Sequence, residues 1–246
     1  KDATQSALKV DDILISNSVF QNLIPLLNPH QFDYKKYLEK KYIYHQIFTK
    51  NTSLLKVKSN TQTLFGIANT IREYINLKLK SYDFKPDELA IINALLLGQR
   101  QDISEDVYTS YTNAGAIHIL AVSGLHVGIV LLILSFVFKP IERVKHGKLI
   151  KTILLVICLW SFALIAGLSA SVTRAVTMFS IVTIAMNLKQ PTNIYNTLAI
   201  SMFVILLFKP MFLFDVVFQL SYLAVFAIVA IAPMLYSLWK PKNKIL

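Results

Sequence analysis

The sequence is short of cysteine and of acidic residues. Its 246 residues include a single cysteine. One thiol permits no intrachain disulfide and no cysteine-based zinc site. Cys158 stands in an apolar run and reads as a small core or lipid-facing residue. Asp and Glu number 14 against 25 Lys and Arg, a formal net charge of +11. That excess has two readings. Basic loops between membrane spans are the common one, which composition favours. An anionic partner, nucleic acid or lipid headgroups, is the other. The chain opens on Lys1 without a signal peptide and reads as a fragment or a processed chain.

What is plentiful is hydrocarbon. Hydrophobic residues make up 54% of the chain, and mean hydropathy is +0.52, above an ordinary soluble domain. The apolar residues are unevenly placed. Residues 1–60 are mixed, with strands expected in "ALKVDDILIS" (7–16), "YHQIF" (44–48) and "LLKVK" (54–58). A turn at Asn28-Pro29 precedes a short helix near 32–42. This stretch is too small for a good core of its own, and it reads as the end of a β-rich module. In "QTLFGIANTIREYINLKLK" (62–80), Leu64, Ile67, Ile71, Tyr74 and Ile75 recur at helical steps. The spacing predicts an amphipathic helix, on a membrane surface or against another element. Helices follow at 86–98, with Pro86 in the first turn, and at 103–113, where Asp102 and Glu105 have capping-box spacing.

From residue 114 the apolar runs reach membrane-crossing length, about 20 residues each. Spans are expected at 115–138, 149–167, 169–188, 194–214 and 216–238. Lys139, Arg143, Lys145, Lys148 and Lys151, then Lys189, then Lys240, Lys242 and Lys244 fall on one side of such a bundle. The other side carries the hairpin 167–171, without Lys or Arg, and a turn with Lys209 alone. The basic side should face the cytoplasm. Residues 1–113 then lie outside. The expected fold is a mainly α-helical polytopic membrane protein, with about five transmembrane helices. Amphipathic helices and a small β-containing extracellular portion precede them, in segments 1–60, 61–113 and 114–246.

Polar side chains interrupt these spans. "AGAIHILAVSGLHVGIVLLIL" (114–134) carries His118, Ser123, Gly124 and His126. Read as one helix, Ser123 and His126 share a face, and His118 lies about 80° from His126. Gly124 permits a break or a close backbone approach. Arg174 lies near the start of the third span, where a central arginine costs roughly 2.5–3.5 kcal/mol on insertion scales. Asp215, Gln219 and Tyr222 form a stripe in the last span, with Asp215 a candidate partner for Arg174. Each group has a plainer reading as a packing or fold-locking element. A serine hydrolase using Ser123 and His126 is weak, since base and nucleophile sit a turn apart on one helix. Two histidines without a suitably spaced carboxylate make a poor metal site. No catalytic residue, metal or cofactor is therefore assigned, and a polar path for a passing solute fits better.

"ALLLGQRQDISEDVYTSYTNAGAIHILAVSGLHVGIV" (94–130) resembles the signature of the competence domain of the ComEC family. The family pattern, an "ALLLG-x-R" helix followed by "AG-x-x-H-x-LAVSG-x-H", is met without departure from Ala94 to His126. "GLSASVTRAVTMFS" (167–180), "NIYNTLAIS" (193–201) and "LFDVVFQLSYLAV" (213–225) match too, and residues 28–48 resemble the end of the family's OB-type module, with "NPH" for "NPG". The resemblance implies a channel carrying single-stranded DNA across the bacterial cytoplasmic membrane, with DNA held outside by the OB-type module. The His/Asp motifs of the family's metallo-β-lactamase-like domain are absent from this sequence, so no nuclease is expected from it. Lys35, Lys36, Lys40 and Lys41, interleaved with Phe32, Tyr34, Tyr37 and Tyr42, suit a single strand, with cations on phosphates and rings on bases. Aromatic packing within the helix's own core is the alternative. Further partners expected are membrane lipid, other competence proteins or a second copy of the chain. The competing functions are an intramembrane serine-type hydrolase and a structural membrane scaffold.

Overall fold

A computed structural model describes residues 8–25, 28, 30–49, 54–57, 61–187 and 193–238. The basic positions Lys189, Lys240, Lys242 and Lys244, and the proline of the Asn28-Pro29 turn, lie outside the described residues. The chain divides into two compact units, 1–83 and 84–246.

The first unit holds two small antiparallel ladders. Strand β1 (Ile13–Ser16) pairs with β4 (Leu54–Val57), Ile13 opposite Val57 and Ser16 opposite Leu54. Strand β2 (Gln21–Asn22) pairs with β3 (His45–Gln46). All three expected strand regions are present but shorter than their apolar runs. Between β2 and β3, helix α1 (Tyr34–Glu39) starts at Asp33, whose carboxylate accepts from the Lys36 N–H at 3.0 Å. Helix α2 (Leu64–Lys80) starts at Thr63. The Asp11 carboxylate holds that start, accepting from Thr63 N at 2.8 Å and Thr63 Oγ1 at 2.6 Å. Across the β1–β4 side, Lys56 reaches Asp12 at 2.7 Å and holds its carboxyl below the usual range.

The second unit is helical. Helix α3 (Pro86–Leu97) begins on its proline and ends at Gly98, in the left-handed region at φ 70°. Helix α4 (Glu105–Asn113) follows. Its cap is Ser104, whose hydroxyl accepts from Val107 N at 3.4 Å, and not the expected Asp102. Serine directly before the helix reaches the third N–H of the first turn; Asp102 lies two residues too early. Five apolar helices come next: α5 (Gly124–Val137), α6 (Gly147–Ile165), α7 (Ala170–Asn187), α8 (Ile194–Phe208) and α9 (Val216–Leu238). Three have the length and composition of a membrane span, at 147–165, 170–187 and 216–236, whereas α5 and α8 are shorter. Single 3₁₀ turns at 117–120 and 210–214 take up the rest of the two runs expected as full spans. Mainly helical and polytopic, the chain is a membrane protein. Exposed apolar side chains on its helices include Leu125, Leu132, Phe136 and Phe208, each more than two-thirds exposed.

Helix α7 is the hub and packs on α5, α6, α8 and α9. Two hydrophobic cores result. One joins α5, α6 and α7 through Val127, Leu159, Ala163, Val172 and Val176. The other joins α8 and α9 through Leu198, Ile205, Phe218 and Tyr222.

Candidate functional site

The polar residues singled out in the sequence gather at the starts of α5, α7 and α9. Gly124 faces Ala175 and Gly128 faces Phe179, so the contacts advance together along α5 and α7, and the two helices run parallel. A Cβ on Gly124 would lie 3.6 Å from that of Ala175, and one on Gly128 would lie 3.4 Å from the Phe179 ring. Both are ordinary van der Waals distances, so a methyl group would fit at either position. Arg174, in the second turn of α7, stands over Phe218, in the first turn of α9. All three helices therefore begin at one end of the bundle.

Helix α5 does not extend back through His118. Its first residue is Gly124, and Ser123 is its extended N-cap. Because the chain from 117 to 120 is a 3₁₀ turn, the angular relation expected between His118 and His126 does not hold. His118 is exposed there. Ser123 and His126 do meet. The Ser123 N–H donates to His126 Nδ1 at 3.2 Å, and Ser123 Oγ lies 2.9 Å from the same nitrogen. The pair forms a capping box with histidine in the place usually taken by Glu or Gln.

Asp215 also lies just outside its helix. Its Oδ1 accepts from Phe218 N at 2.9 Å, and Gln219 Nε2 donates to Leu213 O at 2.8 Å. Both side chains tie down the start of α9. No ion pair joins Asp215 to Arg174, as the sequence had suggested; the two interact only at longer range. The carboxylate is already committed to the helix N-terminus, which competes for it.

Arg174 is 5% exposed, yet its Nε and Nη1 have no hydrogen-bond partner. Its guanidinium carbon is 5.9 Å from the Phe218 ring centroid. The side chain lines a cleft of about 370 Å³ between α5, α7, α8 and α9. Gly124 shares that lining, whereas His118, Ser123, His126, Asp215 and Gln219 do not. Two further participants escaped sequence reading. Gly128 completes a Gly-x-x-x-Gly step with Gly124, a spacing that was there to be read. Ser201, fully buried, hydrogen-bonds Tyr222 at 3.0 Å from another helix, and no local pattern announces it.

In the first unit, Lys35 pairs with Glu39 at 3.9 Å and Lys36 with Asp33 at 3.4 Å. Lys41 lies 4.3 Å from the Tyr37 ring centroid and donates to its hydroxyl. Tyr37 also stacks on Tyr34 and contacts Phe32. The rings touch one another but stay exposed. Among the described residues, no three His, Cys, Asp or Glu side chains gather to hold a metal ion.

The segment that builds this bundle matches the family described as "Competence protein" over residues 95–246. The chain belongs to the competence protein family. It is similar to "ComE operon protein 3" of Bacillus subtilis (strain 168), 28% identical over 201 residues. That similarity covers 82% of this chain and 25% of the relative, so the chain spans about a quarter of the relative's length. No solved structure matches the chain. The expected resemblance to the ComEC family stands.

Proposed function

We propose that this chain is part of the membrane route by which single-stranded DNA enters the cell during natural transformation. The observation that carries the reading is a coincidence of boundaries. The stretch matching the competence family, 95–246, lies inside the helical unit, 84–246, and includes all five apolar helices. His118, Ser123, Gly124, His126, Arg174, Asp215 and Gln219 support or border that route from one end of the bundle. The first unit presents Lys35, Lys36, Tyr37, Lys40 and Lys41 to the strand. In this reading the protein sits in the bacterial cytoplasmic membrane with 1–113 outside and its C-terminal end inside, because the basic loops favour the cytoplasm. Other competence proteins or further copies complete the route. The test replaces His118, His126 or Arg174 by Ala in the full-length protein. Each variant should stay in the membrane and lose DNA uptake. Normal transformation by all three would overturn the reading.

One observation favours a second reading. Ser123 Oγ and His126 Nδ1 are within nucleophile–base distance, at 2.9 Å. Against it, the same Nδ1 accepts the Ser123 N–H, so the imidazole is held as a cap rather than aimed at a substrate. Labelling by a serine-reactive probe, lost in Ser123→Ala, would establish a hydrolase.

A further inference from the structure

We propose that the cleft over Arg174 binds an anionic phospholipid, with a phosphate oxygen on the guanidinium and an acyl chain along the wall below it. The starting point is an imbalance. Arg174 is almost wholly buried, and its Nε and Nη1 have no hydrogen-bond partner. Unsatisfied charged donors in a membrane bundle are costly. The carboxylate that acts on it at longer range, Asp215, is taken by the α9 N-terminus, and a ring at 5.9 Å is at the outer limit of a useful cation–π contact. An anion with two oxygens is the natural complement of a guanidinium fork.

The shape of the cleft says which anion. Arg174 lies four residues after the start of α7, about 6 Å along the axis at 1.5 Å per residue. That is near headgroup depth for a helix entering a bilayer at its N-terminus. Met178 and Phe179 follow about one turn deeper on the same wall, joined by Leu198 of α8 and Val225 of α9. The site is polar at one end and hydrocarbon below, the polarity of a lipid. Its volume, about 370 Å³, is at the small end of ligand pockets and takes a headgroup with part of one chain. A DNA strand brings a phosphate with every nucleotide, and Arg174 is the one cation among the lining residues. Hydrocarbon walls satisfy a strand poorly and an acyl chain well. The inference stands apart from the DNA reading, since it rests on this cleft alone.

The full-length protein is reconstituted in nanodiscs of phosphatidylcholine with a minor fraction of phosphatidylglycerol, then examined by native mass spectrometry for retained lipid. The wild type should keep phosphatidylglycerol in preference to phosphatidylcholine. Arg174→Gln should weaken that retention by about tenfold or more, and Arg174→Lys should keep part of it. Val225→Trp fills the tail end while leaving the charge, and it should also expel the lipid. Equal retention in Arg174→Gln and wild type overturns the proposal. So does protection of Arg174 from guanidine-directed labelling by a single-stranded oligonucleotide, or by another segment of the protein, in discs where no phosphatidylglycerol is kept.

Discussion

The backbone of Gly98 lies against the carbonyl of Ala166: a methyl group on Gly98 would sit 2.5 Å from that oxygen. The contact joins the end of α3 to the hairpin between α6 and α7. Gly98 is also left-handed, at φ 70°, where a side chain costs about 1–2 kcal/mol. Gly98→Ala should therefore lower the melting temperature of the detergent-purified protein by more than Gly115→Ala does. Gly115 shares the conformation, at φ 66°, but has nothing within 4 Å of its Cβ position.

Ser123 and His126 form one device, so the effects of removing them should not add. Either substitution to Ala should cost about 1 kcal/mol, the usual worth of an N-cap. The double variant should cost little more than the single ones. Thermal unfolding of the four proteins in one double-mutant cycle measures the coupling. Additive effects would mean the two side chains act separately.

Glu142, in the connection from α5 to α6, pairs at 2.6 Å with Lys151 in the second turn of α6. The Lys151 hydrogen bond holds the Glu142 carboxyl below its ordinary value of 4.5. A depressed carboxyl stabilises the fold above its unfolded pKa and stops doing so as pH falls through the folded one. Melting temperature measured from about pH 6 to about pH 3 should thus fall further for wild type than for Glu142→Gln, with the two curves converging at the acidic end. The effect is small, as befits an exposed pair. High salt should shrink it.

Replacing Lys35, Lys36, Lys40 and Lys41 by Gln should weaken binding of a labelled single-stranded oligonucleotide to the full-length protein. The logarithmic salt dependence should flatten by about 0.7 for each phosphate that the variant no longer neutralises. Lys35 should contribute less than an unpaired lysine would, because Glu39 already holds it at 3.9 Å. Fluorescence anisotropy across a salt series reads both effects. An unchanged slope would leave the exposed rings around Tyr37 without a nucleic-acid role.

Much of this fold was written in period and length. The α2 pattern, the three long spans and the short strands follow from spacing that any single turn or strand must obey. The misreadings share a cause. The run 114–134 is hydrophobic enough to be one helix, but Ser123 competes for the backbone and Gly124 opens a new first turn, so the helix starts nine residues late. The 194–214 run breaks because Lys209-Pro210 interrupts it, proline lacking the N–H and clashing with the turn before. The relation of Arg174 to Asp215 was beyond local reading altogether. Opposite charges in facing helices suggest a pair, but only coordinates show that the carboxylate prefers an N-terminus of its own.

The two cores share one helix. Helix α7 enters the first through Val172 and Val176 and packs on the second through Met178. Helices α8 and α9, tied to each other through Ser201 and Tyr222, also pack on α7, so a change that bends α7 reaches both cores at once.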